Sequence, residues 1–214
     1  EEPWSQTVTV AEGAASVEVT LPTGDKATIT PADSAKITHV AESDVDNAFT
    51  WKVENESYYT KGEDEVGTLT VTAAKLTIVT ESANKEYDGD PLTADGSISG
   101  FVTPTGGEQE TATFKVTGSQ TLVGKSDNTY SLAWDGTAAE SDYELDKTIG
   151  ELEVKTNTDE LSVASADGRW TYDGNAHTNK TYTVTFGDET IEGTEGQVEF
   201  TLSTGDKLTV TPAE

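Results

Sequence analysis

The chain has 214 residues, with 40 acidic side chains against 13 basic ones, a formal net charge of −27, and neither Cys nor Met. Without Cys there is no disulfide framework, thiolate nucleophile or Cys-based metal site. A charge of this sign argues against nucleic acid as a partner, because phosphate binding needs clustered Lys and Arg, and disfavours anionic membrane surfaces.

The charge is not an acidic tail. Residues 1–73 carry 14 acids and 4 bases, 74–157 carry 15 and 6, and 158–214 carry 11 and 3. Spread this evenly, it acts on solvation and against aggregation. No segment approaches the ~18 apolar residues that span a bilayer, so no membrane insertion is expected. A chain without Met does not begin at its own start codon, and a processed piece of a longer protein is expected. Hydrophobic residues make up only 33%, while Thr occurs 37 times. Thr is β-branched and polar, suited to the solvent face of a strand. Small all-β modules follow from that bias.

In chain order, period-2 alternation marks strands at Val17–Leu21, Phe49–Val53, Leu76–Val79, Phe114–Val116, Tyr130–Trp134, Leu161–Ala164, Tyr182–Phe186 and Val198–Leu202. Turn signals lie between them: Thr23-Gly24-Asp25, Asp88-Gly89, Gly106-Gly107, Asp135-Gly136 and Asp173-Gly174. No window of ten residues or more carries an amphipathic helix pattern.

Two internal repeats organise these elements. Glu56-Ser57-Tyr58-Tyr59 followed by Val66–Val71 recurs as Glu140-Ser141-Asp142-Tyr143 followed by Ile149–Val154. At nearly the same offset, Tyr87-Asp88-Gly89 recurs as Tyr172-Asp173-Gly174. Separately, residues 17–33 and 198–214, near the two ends of the chain, match at 12 of 17 positions. The expected organisation is a first module over 1–73 without an opening strand, a complete module over 74–157, and a partial third module over 158–214. The architecture expected is an elongated array of small β-modules, Ig-like sandwiches or β-grasp-like.

The run Lys85-x-Tyr-Asp-Gly-Asp-Pro-Leu-Thr93, with Thr117–Gly124, Asn128-Thr129-Tyr130, Ser141-Asp142-Tyr143 and Ile149–Val154, resembles a YDG-type (MBG-type) repeat. Such repeats stand in tandem in large bacterial cell-surface proteins and adhesins. The resemblance covers the second module, the latter half of the first and the opening of the third. It departs at Asn175-Ala176-His177-Thr178, where the second module has Asp90-Pro91-Leu92-Thr93. It implies an extracellular bacterial surface location, a tandem array and a non-enzymatic role, and no particular ligand.

The residues themselves offer few chemical constellations. His39 and His177 lie in unlike contexts, and no nucleophile, zinc-protease, phosphate-loop or dinucleotide motif is present. Glu42, Asp44 and Asp46 form an acidic loop, and Asp88 and Asp90 flank a glycine; alternate oxygen ligands of this kind suit Ca²⁺. No other cofactor is expected. Trp51 and Trp134, at equivalent positions of the repeat, are expected in the core, and Tyr59 and Tyr143 near the closing strand. Trp170 stands where the second module has Lys85. A core position rarely accepts Lys, so Trp170 is expected exposed or at a module junction. Trp170 and Tyr172 are the candidates for stacking on a ligand.

The expected function is a stalk or spacer region of a surface adhesin, contacting neighbouring repeats of the same protein. Two alternatives stand beside it. One is a module that itself binds host glycan, mucin or matrix protein; the other is a fibre subunit completed by strand exchange, since open sheet edges template pairing with another chain.

Overall fold

A computed structural model describes residues 4–211. It is all-β: eighteen strands and three short 3-10 turns, with no α-helix among the described residues. No helix there is long and apolar enough to cross a membrane.

The first stretch holds β1 (Val17–Thr20), β2 (Lys26–Pro31), a 3-10 turn at Val40–Glu42, β3 (Val45–Asp46), β4 (Phe49–Val53), a turn at Glu56–Tyr58, and β5 (Thr68–Leu69). The second holds β6 (Ala74–Thr80), β7 (Ala83–Glu86), β8 (Gly96–Ser99), β9 (Thr113–Val116), β10 (Gly124–Asp127) and β11 (Tyr130–Ala133). A turn at Glu140–Asp142 then leads to β12 (Tyr143–Thr148) and β13 (Glu151–Lys155). The third holds β14 (Leu161–Ser165), β15 (Tyr182–Phe186), β16 (Glu189–Glu192), β17 (Glu199–Thr201) and β18 (Lys207–Thr209).

The sheets are small, in the orders β1-β2-β4, β3-β5, β10-β13-β7, β11-β9, β12-β6-β8, β14-β15-β16 and β17-β18. Each of these pairings stays within 1–73, 74–157 or 158–214. One pair is parallel, β13 with β7, aligning Leu152 with Ala83 and Lys155 with Glu86. Compactness divides the chain differently, into two units. One holds the residues up to Leu76 with Phe101–Glu110 and Thr137–Glu144; the other holds Thr77–Gly100, Thr111–Gly136 and the residues from Leu145 onward. The boundaries at 73/74 and 157/158 therefore each fall inside a unit.

The sequence repeats reappear as repeated geometry. Val45 pairs with Leu69 in the first stretch, and Ser126 with Leu152 in the second. The Asn47 N–H donates to Gly67 O at 2.8 Å, as the Asn128 N–H does to Gly150 O at 2.7 Å. The two copies of the hairpin turn match as well. Leu21 N–H donates to Asp25 O at 2.8 Å, and Leu202 N–H to Asp206 O at 2.9 Å. Gly24 and Gly205 supply the positive φ each turn needs, at 92° and 83°.

Burial is uneven among the copies. In the second stretch Leu76, Ile78, Leu152 and Val154 are completely or almost completely buried, and Tyr143 and Ala138 nearly so. The first stretch buries Val19 and Ala27, the third Val184 and Phe200. Some buried polar groups of the second stretch are tied to the backbone, while among the described residues Ser126 Oγ and Asn128 Oδ1 are buried without a hydrogen-bond partner. Buried Asn128 donates through Nδ2 to the carbonyls of Glu81, Ala94 and Asp95 at 2.9, 3.2 and 3.3 Å. The Gly150 N–H donates to the buried Thr80 hydroxyl at 2.9 Å.

Trp51 and Trp134 are half-buried, a correction to their expected place in the core. The Trp51 indole N–H donates to Asp64 Oδ1 at 2.6 Å, and Lys61 Nζ lies 4.8 Å from the ring centroid. A polar partner for the indole N–H holds the ring at the edge of the apolar layer.

Leu76 and Leu161 occupy the same repeat position but differ in burial, 0% against 45% exposed. Leu76→Ala should destabilise the protein by about 2–5 kcal/mol, and Leu161→Ala by no more than about 0.5 kcal/mol. Denaturant unfolding of the two variants beside the parent measures both.

Candidate functional site

The residues expected to bind a ligand lie in an irregular segment of the third stretch. The Trp170 indole stacks on the His177 ring, centroids 5.1 Å apart and planes within 8°. His177 Nε2 lies 2.9 Å from Asp173 Oδ1, which also accepts the Asn175 N–H at 2.9 Å. That backbone bond, then the Asn175 side chain, holds the Asp173 carboxyl below the usual carboxylate range, with His177 contributing. Trp170 is 49% exposed and Tyr172 93% exposed. The cluster is a half-open aromatic platform edged by amide and carboxylate groups.

The acidic candidates are engaged in local bonds. Glu42 Oε2 accepts the N–H groups of Thr38 and His39 at 2.6 and 3.3 Å, closing the turn at Val40–Glu42. Asp44 Oδ1 accepts the Thr70 hydroxyl at 2.7 Å, and Asp46 lies in β3 opposite Thr68. Asp88 Oδ1 takes Lys85 Nζ at 2.6 Å and the Asp90 N–H at 3.0 Å. The carbonyl of Asp90 accepts the same Lys85 at 2.7 Å. Among the described residues no three His, Cys, Asp or Glu side chains converge as a metal site.

The more elaborate polar chemistry sits where one repeat meets the next. At the first boundary the turns Val40–Glu42 and Glu140–Asp142 face each other. Asp142 reaches across with both oxygens: Oδ2 lies 2.6 Å from His39 Nδ1, and Oδ1 accepts the Val40 N–H at 2.8 Å. Beside this pair, buried Tyr143 donates its hydroxyl proton to Glu110 and accepts the Val102 N–H at 2.9 Å. Phe101 meets the Tyr143 ring edge-on at 5.7 Å. These groups border a cavity of about 270 Å³ whose apolar walls include Val71, Ala74 and Pro104.

The Asp142 hydrogen bond and charge raise the His39 pKa against the opposing effect of burial, with the Glu42 and Glu110 charges adding lesser rises. Reciprocally, the His39 hydrogen bond, then the Val40 N–H and the imidazolium charge, hold Asp142 below its usual range, against burial.

At the second boundary, Tyr87 donates its hydroxyl to Asp206 Oδ1 at 3.2 Å, and this bond raises the tyrosine pKa. The Tyr87 carbonyl accepts Asn157 Nδ2 at 2.8 Å. Gly89, at φ 87°, lies so close to the Thr204 backbone that a Cβ would stand 1.9 Å from its carbonyl oxygen. The Tyr-Asp-Gly turn of the second stretch thus seats on the Thr-Gly-Asp turn of the third.

In the sequence Asp88-Gly89 stands out as a turn and residues 198–214 as a copy of 17–33, but nothing in either says that the two meet. The sequence also left His39 without a role, since Asp142 is far away along the chain and the repeat partner of Asp142 is Tyr58. One signal was present: Tyr87 and Asp206 each stand within a duplicated motif.

Compared with known proteins, no protein-family model, curated protein or solved structure matches this chain.

Two outcomes follow. The raised His39 pKa makes the His39–Asp142 pair most stabilising below the imidazole range, and this contribution disappears as pH rises through the folded-state His39 pKa. The lowered Asp142 pKa makes its contribution fade as pH falls through the folded-state Asp142 pKa. The stability difference between the parent and His39→Gln should therefore peak near about pH 5, between the two ranges, and shrink towards pH 8. Unfolding titrations of both proteins from about pH 3 to about pH 9 check the sign. Gly89→Ala combines a left-handed backbone with a collision at Thr204, and should destabilise by at least about 1–3 kcal/mol in the same assay.

Proposed function

We propose that the chain is a non-enzymatic run of spacer repeats from the stalk of an extracellular bacterial surface protein of the YDG-type class it resembles. One observation carries this reading. Both boundaries between repeats lie inside compact units and are closed by side-chain bonds, His39 to Asp142 at one and Tyr87 to Asp206 at the other. A stalk needs joints of this sort, because freely jointed modules collapse the reach of an array while bonded ones preserve it. Stability in such arrays is the sum of each unit and its neighbour contacts.

The composition suits the same role. A net charge of −27 spread along the chain keeps parallel stalks apart and repels nucleic acid and anionic membrane. The Thr-rich strand faces hydrate the surface without adding sticky apolar patches. The partners in this reading are the neighbouring repeats of the same protein, with recognition delegated elsewhere.

A second reading rests on the aromatic platform. Trp170 stacked on His177, with Tyr172 beside it in sequence and almost fully exposed, suits an adhesin module stacking on the apolar face of a sugar ring in a host glycan, mucin or matrix glycoprotein.

A binding screen of the purified 214-residue chain against glycan and host-matrix arrays, with and without millimolar Ca²⁺, separates the two. The spacer reading expects no saturable binding in either buffer from folded protein. Saturable binding that Trp170→Ala abolishes, with the circular dichroism spectrum unchanged, overturns it in favour of the recognition module.

A further inference from the structure

The cavity at the first repeat boundary holds chemistry that a spacer does not use. Its walls come from residues 38–40, 71–74, 102–110 and 142–143, all of which belong to one compact unit.

One wall is a carboxylate fixed by a ring of bonds. The buried Tyr143 hydroxyl donates to Glu110 Oε2 and accepts the Val102 N–H at 2.9 Å. The Glu110 N–H in turn donates to the Val102 carbonyl at 2.9 Å. Gln109 Nε2 adds a bond to the Phe101 carbonyl at 3.0 Å, so the loop that carries Glu110 is tied down at both ends. Oε2 is thereby committed to Tyr143, and Oε1 makes no hydrogen bond among the described residues.

His39 lines the same cavity. Its Nδ1 lies 2.6 Å from Asp142 Oδ2, and Asp142 Oδ1 accepts the Val40 N–H, so both oxygens of that carboxylate are engaged. The neutral tautomer that donates from Nδ1 leaves Nε2 an acceptor. Among the described residues Nε2 has no partner. Much of the remaining wall is apolar, from Val71, Ala74, Val102 and Pro104.

Charge decides what such a space accepts. Its lining carries two carboxylates and one imidazole, and among the described residues neither Lys nor Arg borders it. Glu42 adds a third negative charge beside the ring, because its carboxylate accepts the Thr38 and His39 N–H groups. An anion is repelled here. A metal ion finds too few ligands, since no three His, Asp or Glu side chains converge among the described residues. A neutral apolar molecule would strip water from Glu110 without replacing its hydrogen bonds. An organic cation with a short aliphatic body meets both demands, through charge-assisted bonds at one end and apolar contact along its length. The volume of about 270 Å³ lies at the small end for ligand sites and suits a single short chain.

We propose that this cavity binds an alkylammonium group, which donates to Glu110 Oε1 and His39 Nε2 and lays its methylene chain against Val71, Ala74 and Val102. A free amine and a lysine side chain of a partner protein both carry this group. The net charge of −27 concentrates either one near the chain. The proposal does not rest on the spacer role, and the glycan and matrix screen reads a different property.

NMR titration of the isotopically labelled full chain with n-pentylammonium chloride at about pH 8, where an ordinary imidazole is neutral, tests the proposal. Matched NaCl serves as the control for screening. Saturable shifts are expected at His39, Val71, Ala74 and Val102, with a Kd of about 1 mM or tighter. Nuclear Overhauser contacts should join the pentyl chain to the methyl groups of Val71, Ala74 and Val102. Pentan-1-ol, with the same chain and no charge, should bind at least about tenfold more weakly. Glu110→Gln keeps an acceptor for Tyr143 and should weaken binding about tenfold or more. Glu108→Gln, in the same loop but outside the lining, should change it by less than about twofold. Nα-acetyl-lysine methylamide separates the two sources: binding as tight as pentylammonium assigns a lysine side chain, and weaker binding assigns a free amine. Shifts that never saturate, or that spread over surface acids away from the cavity, overturn the proposal. Equal binding of pentan-1-ol, or undiminished binding by folded Glu110→Gln, also overturns it. Should Glu110→Gln lose the folded circular dichroism spectrum, the Overhauser contacts and the pentan-1-ol comparison on the parent chain decide.

Discussion

The strand β6 sets the terms for the rest of this molecule. It begins the second repeat, and its apolar residues Leu76 and Ile78 are completely buried in a chain where only a third of the residues are hydrophobic. That burial requires a neighbour from each half of the repeat: β8 follows it closely in sequence, while β12 arrives only near the end of the repeat. A module of this kind is a contract between its two halves. Where β8 and β12 both lie alongside, Leu76 and Ile78 are fully buried, whereas Leu161 and Val163 at the equivalent positions of β14 are each 45% exposed.

A small core places weight on polar closure. Asn128 gathers three backbone carbonyls and Thr80 receives the Gly150 N–H, so these buried polar groups stabilise chain crossings that apolar contacts alone would leave loose. Tyr143 plays a similar part at the first repeat boundary through Val102 and Glu110. The charges follow the same logic. Many acids serve as acceptors for nearby N–H and O–H groups, as Asp25 does for Tyr59 and Asn55 and Asp135 for Thr113. An acidic composition is in this way a structural resource, since Asx and capping bonds order turns that have little apolar content.

Legibility followed side-chain pattern. Strands with alternating apolar residues, such as Phe49–Val53, Tyr182–Phe186 and the hairpin at 17–33, could be read directly, because one face must enter a core. The polar strands Ala83–Glu86 and Gly124–Asp127 could not, since their sequences, Ala-Asn-Lys-Glu and Gly-Lys-Ser-Asp, have no apolar period. They are strands because β13 lies between them and supplies backbone partners on both edges. Exposure of Trp170 followed from its alignment with Lys85, but its stacking on His177 did not: that contact depends on the path of an irregular loop.

By itself the sequence determined the all-β class, the principal strands, the duplicated turns and the division into related stretches. Those features depend on local alternation, on turn residues with special backbone freedom, and on repetition, all of which are written along the chain. Only the tertiary structure decided which turns meet, that Asp142 engages His39 and Tyr87 engages Asp206, and that Trp51 and Trp134 lie at the margin of the apolar layer. It also decided which copies of a repeated residue are buried. Leu76 and Leu161 have nearly the same local sequence signal, and burial is conferred by whatever strand lies alongside, a property of the partner and not of the residue.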